Sequence, residues 1–460
     1  MRGITLVTAI LISCQFTLFG AKISKEQKQE IISLNKKYLK TYKTILKKYI
    51  KKSDLEASNR INEHIKILED DLSLSDTNHK FFKSYKHKDL KKYLKRHRSA
   101  LKKILESKNV SASNLSDEPE KKENLIKNEI NNDLKELHKR IKNYRKFGGS
   151  SSSQKAVSKA LKWFQKEQNP NGSWGEDQNI GISSLVLLSF LAHGETTDSK
   201  EYGETITKTV NWLNKVVVEK RGRGIAYWNA MAVQALADSY RLTGNEGLLK
   251  TIKTGTERII KGQLAGGGYF YYYKTGVTRE DLSIFSWNYQ ALVAVKKAGI
   301  EVNDLDLAFK RSDTFLKTMA ARDFPYTTLT NKPGKLSMRA AGVYGMQVSG
   351  QTNDKKYKEH IKNISEKDLK EIAWGNQSIY SWYYGTNAMF NEGGSKWKKW
   401  NKKVSSLLIK NQSKTGYWEF KVGHLSTLKE TEKKVYTTAL ATLTLTVYYR
   451  YPQGYKVDKN

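Results

Sequence analysis

Neighbouring carboxylates are the first residues in this chain that could do chemistry: Glu176-Asp177 and Glu280-Asp281 each stand just ahead of an apolar segment with helical spacing. Two acids side by side raise one another's proton affinity, as a general acid requires. The same pair at a helix N-terminus also satisfies the helix dipole, so capping stands beside catalysis as a reading. Other reactive types are sparse. Cys14 is the only cysteine, which leaves no intrachain disulfide and no cysteine-based metal set. His193, His360 and His424 occur singly, without metal-ligand spacing, and read as surface or cap histidines. No cofactor and no metal site is expected.

Aromatic residues are the richer resource. Tyr227 and Trp228, then Phe285, Trp287 and Tyr289, then Tyr380, Trp382, Tyr383 and Tyr384 cluster near the starts of three apolar segments. Ring faces stack on sugars, stabilise cations or simply pack. Trp228, Trp287, Trp382 and Tyr384 are the ligand-binding candidates, and Arg339 with Asp281 adds charge that suits a polar ligand better than an apolar one.

Two kinds of segment must position these side chains. Amphipathic stretches with a Lys-rich face run over 155–168, 202–218, 247–263, 304–319, 355–371 and 396–412. Between them lie stretches that are apolar nearly all round, 180–192, 225–240, 282–298, 336–348, 378–390 and 435–449. A helix without a polar face must be surrounded by protein. Strict alternation of six outer and six inner helices predicts an all-α fold, an α/α toroid whose inner ring lines the centre. A short pattern recurs at the outer-to-inner turns: Gln168 with Gly172 and Trp174, Gln263 with Gly267 and Tyr269, Gln412 with Gly416 and Trp418. Glycine supplies the positive φ that reverses the chain, and the glutamine amide can bond exposed backbone groups.

These turns, with Trp163 and Trp212 on outer helices and the sixfold alternation, resemble the toroid of the terpenoid cyclase and protein prenyltransferase superfamily. The runs 192–203 and 380–390 are similar to exported bacterial prenyltransferase and squalene oxidase repeat proteins, and the resemblance covers about 154–452. It implies the fold; the family chemistry must be checked residue by residue. Squalene-type cyclases draw their acid from an Asp-x-Asp-Asp motif, which this chain lacks, so Asp281 and Glu280 are the remaining acids. Prenyltransferases of this fold need an Asp, Cys and His zinc set, and thioester toroids need a cysteine near a glutamine; neither can be assembled here.

Three functions remain. The first is an exported binding or scaffold protein that recognises a ligand or protein at the toroid centre. The second is an isoprenoid cyclase or transferase using an unfamiliar acid. The third is a polysaccharide lyase or hydrolase on a toroid scaffold, with Tyr383 or Tyr384 as base and Arg339 binding a uronate. A centre filled by Trp287, Tyr383 and Tyr384 packing on one another would count against both enzymes, whereas a lined void of about 300 Å³ would support them.

The rest of the chain sets the context. Residues 1–21 read as a signal peptide, with Cys14 in a lipoprotein-like box as the alternative, so a periplasmic or secreted protein without a transmembrane span is expected. Residues 22–147 carry narrow apolar stripes that predict a charged helical bundle or coiled-coil region. Gly148 to Ser153 reads as a flexible linker, and 453–460 as a tail. The formal net charge of +35 invites nucleic acid as a partner. The lysines are spread along the chain and no nucleic-acid motif occurs, so solvated helix faces are the default reading, and an anionic cell-surface polymer or lipid headgroup is the expected partner if the charge has one.

Overall fold

The computed structural model describes residues 147–450, apart from 177, 178, 220, 221, 223, 275 and 421–427. The expected signal peptide with Cys14, the charged helical region up to residue 146, Asp177, His424 and the 453–460 tail lie outside the described residues. The chain divides into two units, Met1–Lys142 and Asn143–Asn460, and the described residues belong to the second.

Twelve main helices alternate between two environments. The outer helices are α1 (Ser151–Lys166), α3 (Gly203–Glu219), α5 (Leu249–Lys261), α7 (Leu305–Ala321), α9 (Lys355–Asn363) and α11 (Gly394–Asn411). The inner ones are α2 (Asn179–His193), α4 (Ile225–Thr243), α6 (Leu282–Lys297), α8 (Leu336–Val348), α10 (Ile379–Glu392) and α12 (Glu430–Leu445). Each inner helix packs on the next, and α12 packs back on α2. That closed ring, wrapped by the odd-numbered helices, is an α/α toroid. Burial follows from the sequence: α6 is buried at every position from Leu282 to Val295, while α5 buries only the stripe Thr251, Ile252, Gly255, Thr256 and Ile259. Outside these twelve, α9 continues through a π-helical turn, Ile364–Asp368, and a short helix α13 (Val447–Arg450) follows α12.

Two boundaries differ from the sequence reading. Ser151 to Ser153 are helical instead of forming a linker, because serine at a helix start caps it. Ser150 Oγ accepts from Ser153 N at 3.1 Å, and Ser153 Oγ accepts from Ser150 N at 3.0 Å. The preceding residues are pinned as well: Trp397 Nε1 donates to Phe147 O at 2.8 Å and Asn401 Nδ2 to Gly148 O at 3.0 Å. At the other end, α12 begins at Glu430, five residues ahead of the apolar run that starts at Val435. Its polar first turn holds the buried Glu432, whose Oε1 accepts from Glu176 N at 3.1 Å and whose Oε2 accepts from Lys429 N at 3.2 Å.

Candidate functional site

The rim of the ring is built from the three glutamine turns. Gln168 Nε2 donates to Gly172 O at 3.1 Å and to Thr205 O at 2.9 Å on α3. Gln263 Nε2 donates to Gly267 O at 3.0 Å and to Ala308 O at 3.1 Å on α7. Gln412 Nε2 donates to Gly416 O and to Ala156 O on α1, both at 2.8 Å. Each amide therefore closes its own turn and ties it to the next outer helix, the third tie joining the last outer helix to the first. The glycines serve this approach. Their φ values are +92, +94 and +116, and an added Cβ would lie 2.6 Å from Lys208 O, 2.1 Å from Arg311 O and 2.4 Å from Lys159 O. Two of the turn aromatics reach back ten residues, Trp174 Nε1 to Phe164 O and Trp418 Nε1 to Leu408 O, both at 2.8 Å.

The acidic pair ahead of α6 divides between two tasks. Glu280 is buried, and its Oε1 accepts from Gly268 N at 3.1 Å, so it braces the second glutamine turn. Burial pushes its carboxyl above the ordinary range, and the Gly268 and Gly266 amides pull it back. Asp281 is fully buried and occupies the N-cap position of α6, yet its side chain makes no capping bond. Arg279 grips it instead, Nη2 to Oδ1 at 2.8 Å and Nε to Oδ2 at 3.1 Å. Burial raises the Asp281 carboxyl and this fork opposes the rise. With both oxygens held by a guanidinium, Asp281 is neither a helix cap nor a free proton donor. Backbone pairing fixes the segment further, since Leu282 N donates to Tyr326 O at 3.0 Å and Thr328 N to Glu280 O at 3.0 Å.

Deeper in, the candidate aromatics meet across the ring. Helices α6 and α10 are separated by α8, so side chains that join them span the centre. Trp287 of α6 stacks on Tyr383 of α10 at 5.7 Å between ring centroids and 13° between planes, and meets Tyr384 edge-on at 5.8 Å. Gln290 ties both phenols: its Nε2 donates to the Tyr384 hydroxyl at 2.6 Å, and the Tyr383 hydroxyl donates to its Oε1 at 3.0 Å. Trp287 and Tyr383 are 1% exposed and Tyr384 is 0% exposed, so this part of the centre is filled. Burial, then the neighbouring Tyr380 and Tyr383, pushes the Tyr384 hydroxyl well above its ordinary range. A phenol held protonated in this way does not abstract a proton at neutral pH.

Above the plug, at the N-terminal ends of the inner helices, hydroxyls form a chain. Tyr227 and Ser283 share a hydrogen bond of 2.7 Å, Ser283 Oγ donates to the Tyr326 hydroxyl at 3.2 Å, and Tyr326 and Tyr271 share another of 3.2 Å. The Tyr227 and Tyr271 rings meet edge to face at 5.7 Å, and the Arg279 guanidinium sits 5.9 Å from the centre of the Phe270 ring. Burial pushes the Tyr227, Tyr271 and Tyr380 hydroxyls upward, so they remain neutral donors and acceptors. The mouth still faces solvent through Tyr326, 40% exposed, and Tyr272, 46% exposed.

The remaining candidates lie elsewhere. Arg339 is not part of the mouth's charge; it pairs with Asp368 at 2.5 Å, the residue that the π-helical turn of α9 presents to it. Trp382 is enclosed by Trp374 and Phe420, with centroids 5.9 and 5.4 Å away, and Trp228 is buried on α4 beside Gly181. His360 is no surface residue: it is buried against Phe324 at 4.8 Å, with Nε2 3.4 Å from Asp323 Oδ1, because the loop after α7 folds over it. His193 is partly buried, with Nδ1 3.0 Å from Glu195 Oε1. Among the described residues no three His, Cys, Asp or Glu side chains gather to hold a metal ion, and no helix is long and apolar enough to cross a membrane. Gln290, Ser283, Tyr271 and Tyr326 were absent from the sequence candidates. The run Phe270-Tyr271-Tyr272-Tyr273 was the available signal for part of this set.

No family model and no curated protein matches the chain. Among solved structures, the chain is similar to an unsaturated glucuronyl hydrolase specific for heparin, at 15% identity over 64% of this chain and 95% of that one, with a TM-score of 0.44. A type II terpene cyclase from Scytonema, bound to geranylgeranyl dihydroxybenzoate, matches at 11% identity over 66% and 99%, also with a TM-score of 0.44. A polysaccharide lyase matches at 13% identity over 66% and 98%, with a TM-score of 0.33. Likenesses at this level assign no activity to the chain.

Proposed function

We propose that this protein is a non-catalytic binding toroid, whose tyrosine-lined mouth takes a polar, hydroxyl-bearing ligand above a sealed centre. The observation that carries this reading is the bridge of Trp287, Tyr383, Tyr384 and Gln290 across the ring. A cyclase must enclose an apolar substrate beside a free acid, and here Asp281 is committed to Arg279. A lyase of the kind considered above needs a tyrosine base beside a uronate-binding arginine. Tyr384 is held protonated, the Tyr383 hydroxyl is spent on Gln290, and Arg339 is spent on Asp368. The hydroxyls of Tyr227, Ser283, Tyr271 and Tyr326 instead offer paired donors and acceptors beside ring faces, the combination that suits a sugar or polyol. The leading apolar run of the sequence supports export, with lipid attachment at Cys14 as the alternative.

The test has two arms. Full-length protein incubated with a linear isoprenoid polyene, or with polygalacturonate, is expected to yield no product by mass spectrometry; turnover of either would refute the non-catalytic reading. Neutral oligosaccharides are expected to perturb tyrosine and tryptophan fluorescence, with the response reduced in Tyr326→Phe. A response that the variant leaves unchanged would move the ligand away from the mouth.

A further inference from the structure

Lysines are not distributed alike over the outer helices. Helices α3, α5, α7 and α9 all mix acids with bases, as in Glu204 with Lys208 or Asp306 with Lys310. Helices α1 and α11 contain no aspartate or glutamate, and they are neighbours. Their alignment is fixed from α11 and its C-cap: Asn401 reaches Gly148 O at 3.0 Å, and the C-cap residue Gln412 reaches Ala156 O at 2.8 Å. The two helices therefore run in the same direction, with the start of α1 beside the end of α11.

Along this wall stand Lys398, Lys402 and Lys410 of α11 and Lys155, Lys159 and Lys166 of α1, all exposed. Acidic groups do reach these helices, Glu201 at 3.5 Å from Lys162 and Glu392 at 2.6 Å from Lys396, but they leave those six lysines without an acidic partner among the described residues. Lys403 is spent capping Leu369 O at 2.7 Å and Lys370 O at 2.9 Å. Lys398 and Lys402 are four residues apart, Lys155 and Lys159 four, and Lys159 and Lys166 seven, steps that keep side chains on one side of a helix, so these five form a line of like charge, with Lys410, eight residues beyond Lys402, off that line. Unrelieved repulsion along such a line costs stability and gains nothing unless a counter-charge sits on it.

We propose that this lysine track binds a linear anionic polysaccharide carrying one charge on each sugar unit. Large exposed apolar side chains among the described residues are Leu242, Tyr272, Leu307, Tyr326 and Leu329, none of them on α1 or α11. The wall thus has nothing to insert into a bilayer and nothing to stack on bases, so recognition rests on charge spaced along a line. One helical turn rises about 5.4 Å, close to the span of a single pyranose unit. Duplex nucleic acid carries a charge about every 1.7 Å and would leave most of its phosphates unmatched.

The experiment uses the full-length chain and polygalacturonate, with duplex DNA and phosphatidylserine vesicles as competing probes. Binding to polygalacturonate is expected to weaken steeply between about 50 and 200 mM salt. Combined Lys155→Gln, Lys159→Gln, Lys398→Gln and Lys402→Gln should weaken it at least ~10-fold and flatten the salt dependence. A variant matched in charge on other outer helices, Lys250→Gln, Lys253→Gln, Lys310→Gln and Lys317→Gln, should change it by less than about 2-fold. Equal losses in the two variants, absence of polygalacturonate binding, or tighter track-dependent binding of DNA or vesicles would each overturn the proposal.

Discussion

Rim and centre of the ring follow opposite rules. At the rim, three turns repeat one arrangement: a glutamine amide bonds its own glycine carbonyl and a carbonyl of the next outer helix, and the glycine lies against that helix. In the centre nothing repeats. Helix α6 supplies Trp287 and Gln290, α10 supplies Tyr383 and Tyr384, α4 supplies Tyr227, and the loop residues Tyr271 and Tyr326 complete the mouth. Repetition marks the part that holds helices together under the same physical constraint each time. Departure from repetition marks where the molecule has acquired something particular.

The contrast can be broken from either side. Trp287→Ala should have the largest effect, about 3–5 kcal/mol of lost stability in urea unfolding, because it leaves a void between α6 and α10 that the ring cannot close. A loss below about 1 kcal/mol would mean that the bridge is not packed as described. Gly267→Ala should cost about 2–3 kcal/mol, since the new Cβ meets Arg311 O and the backbone is left-handed. Gly276→Ala is its control: φ is +76 with nothing within 4 Å, so only conformational strain of about 1 kcal/mol remains. Gln263→Leu should cost about 2 kcal/mol, and Gln412→Leu a similar amount if the three turns are equivalent. A markedly larger loss for Gln412 would single out ring closure as the weak point.

The smallest expected effect is one of pH. Burial lowers the His360 pKa below the ordinary value near 6.5. The unfolded chain then takes up the proton first, so stability falls as pH drops through that value and is fully present above it. Unfolding midpoints at pH 7.5 and about 5.5 should differ less in His360→Gln than in the parent. An unchanged difference would assign the pH dependence to other groups.

Helix positions were legible because apolar coverage differs so sharply between the two kinds of segment. The predicted start of α4 at Ile225 and of α6 at Leu282 coincide with the observed ones. The centre was less so. Periodicity identifies Trp287 and Tyr383 as inward-facing but carries no register between α6 and α10, so their stacking could not be read. Tyr271 and Tyr326 lie in loops, where no period exists; the backbone pairing of 326–328 with 280–282 brings Tyr326 to Ser283, while Tyr271 is held by its carbonyl, which accepts from Ala226 N. Asp281 misled for a related reason. Its place before a helix suggested a cap, whereas its bond to Arg279, two residues earlier, depends on how the loop turns.

The Gln412 to Ala156 bond joins residues 256 positions apart. Closing so long a loop is entropically expensive and gains nothing until α11 exists, so the ring cannot be sealed early in synthesis. A nascent chain must carry an open horseshoe whose terminal inner helices expose apolar faces, and it needs protection until α12, the last inner helix, arrives to pack on α2. Truncation before Lys396 should trap that horseshoe, detectable as strong binding of a hydrophobic dye; a truncated chain that stays dye-negative and folds cooperatively would show that closure comes last without being required.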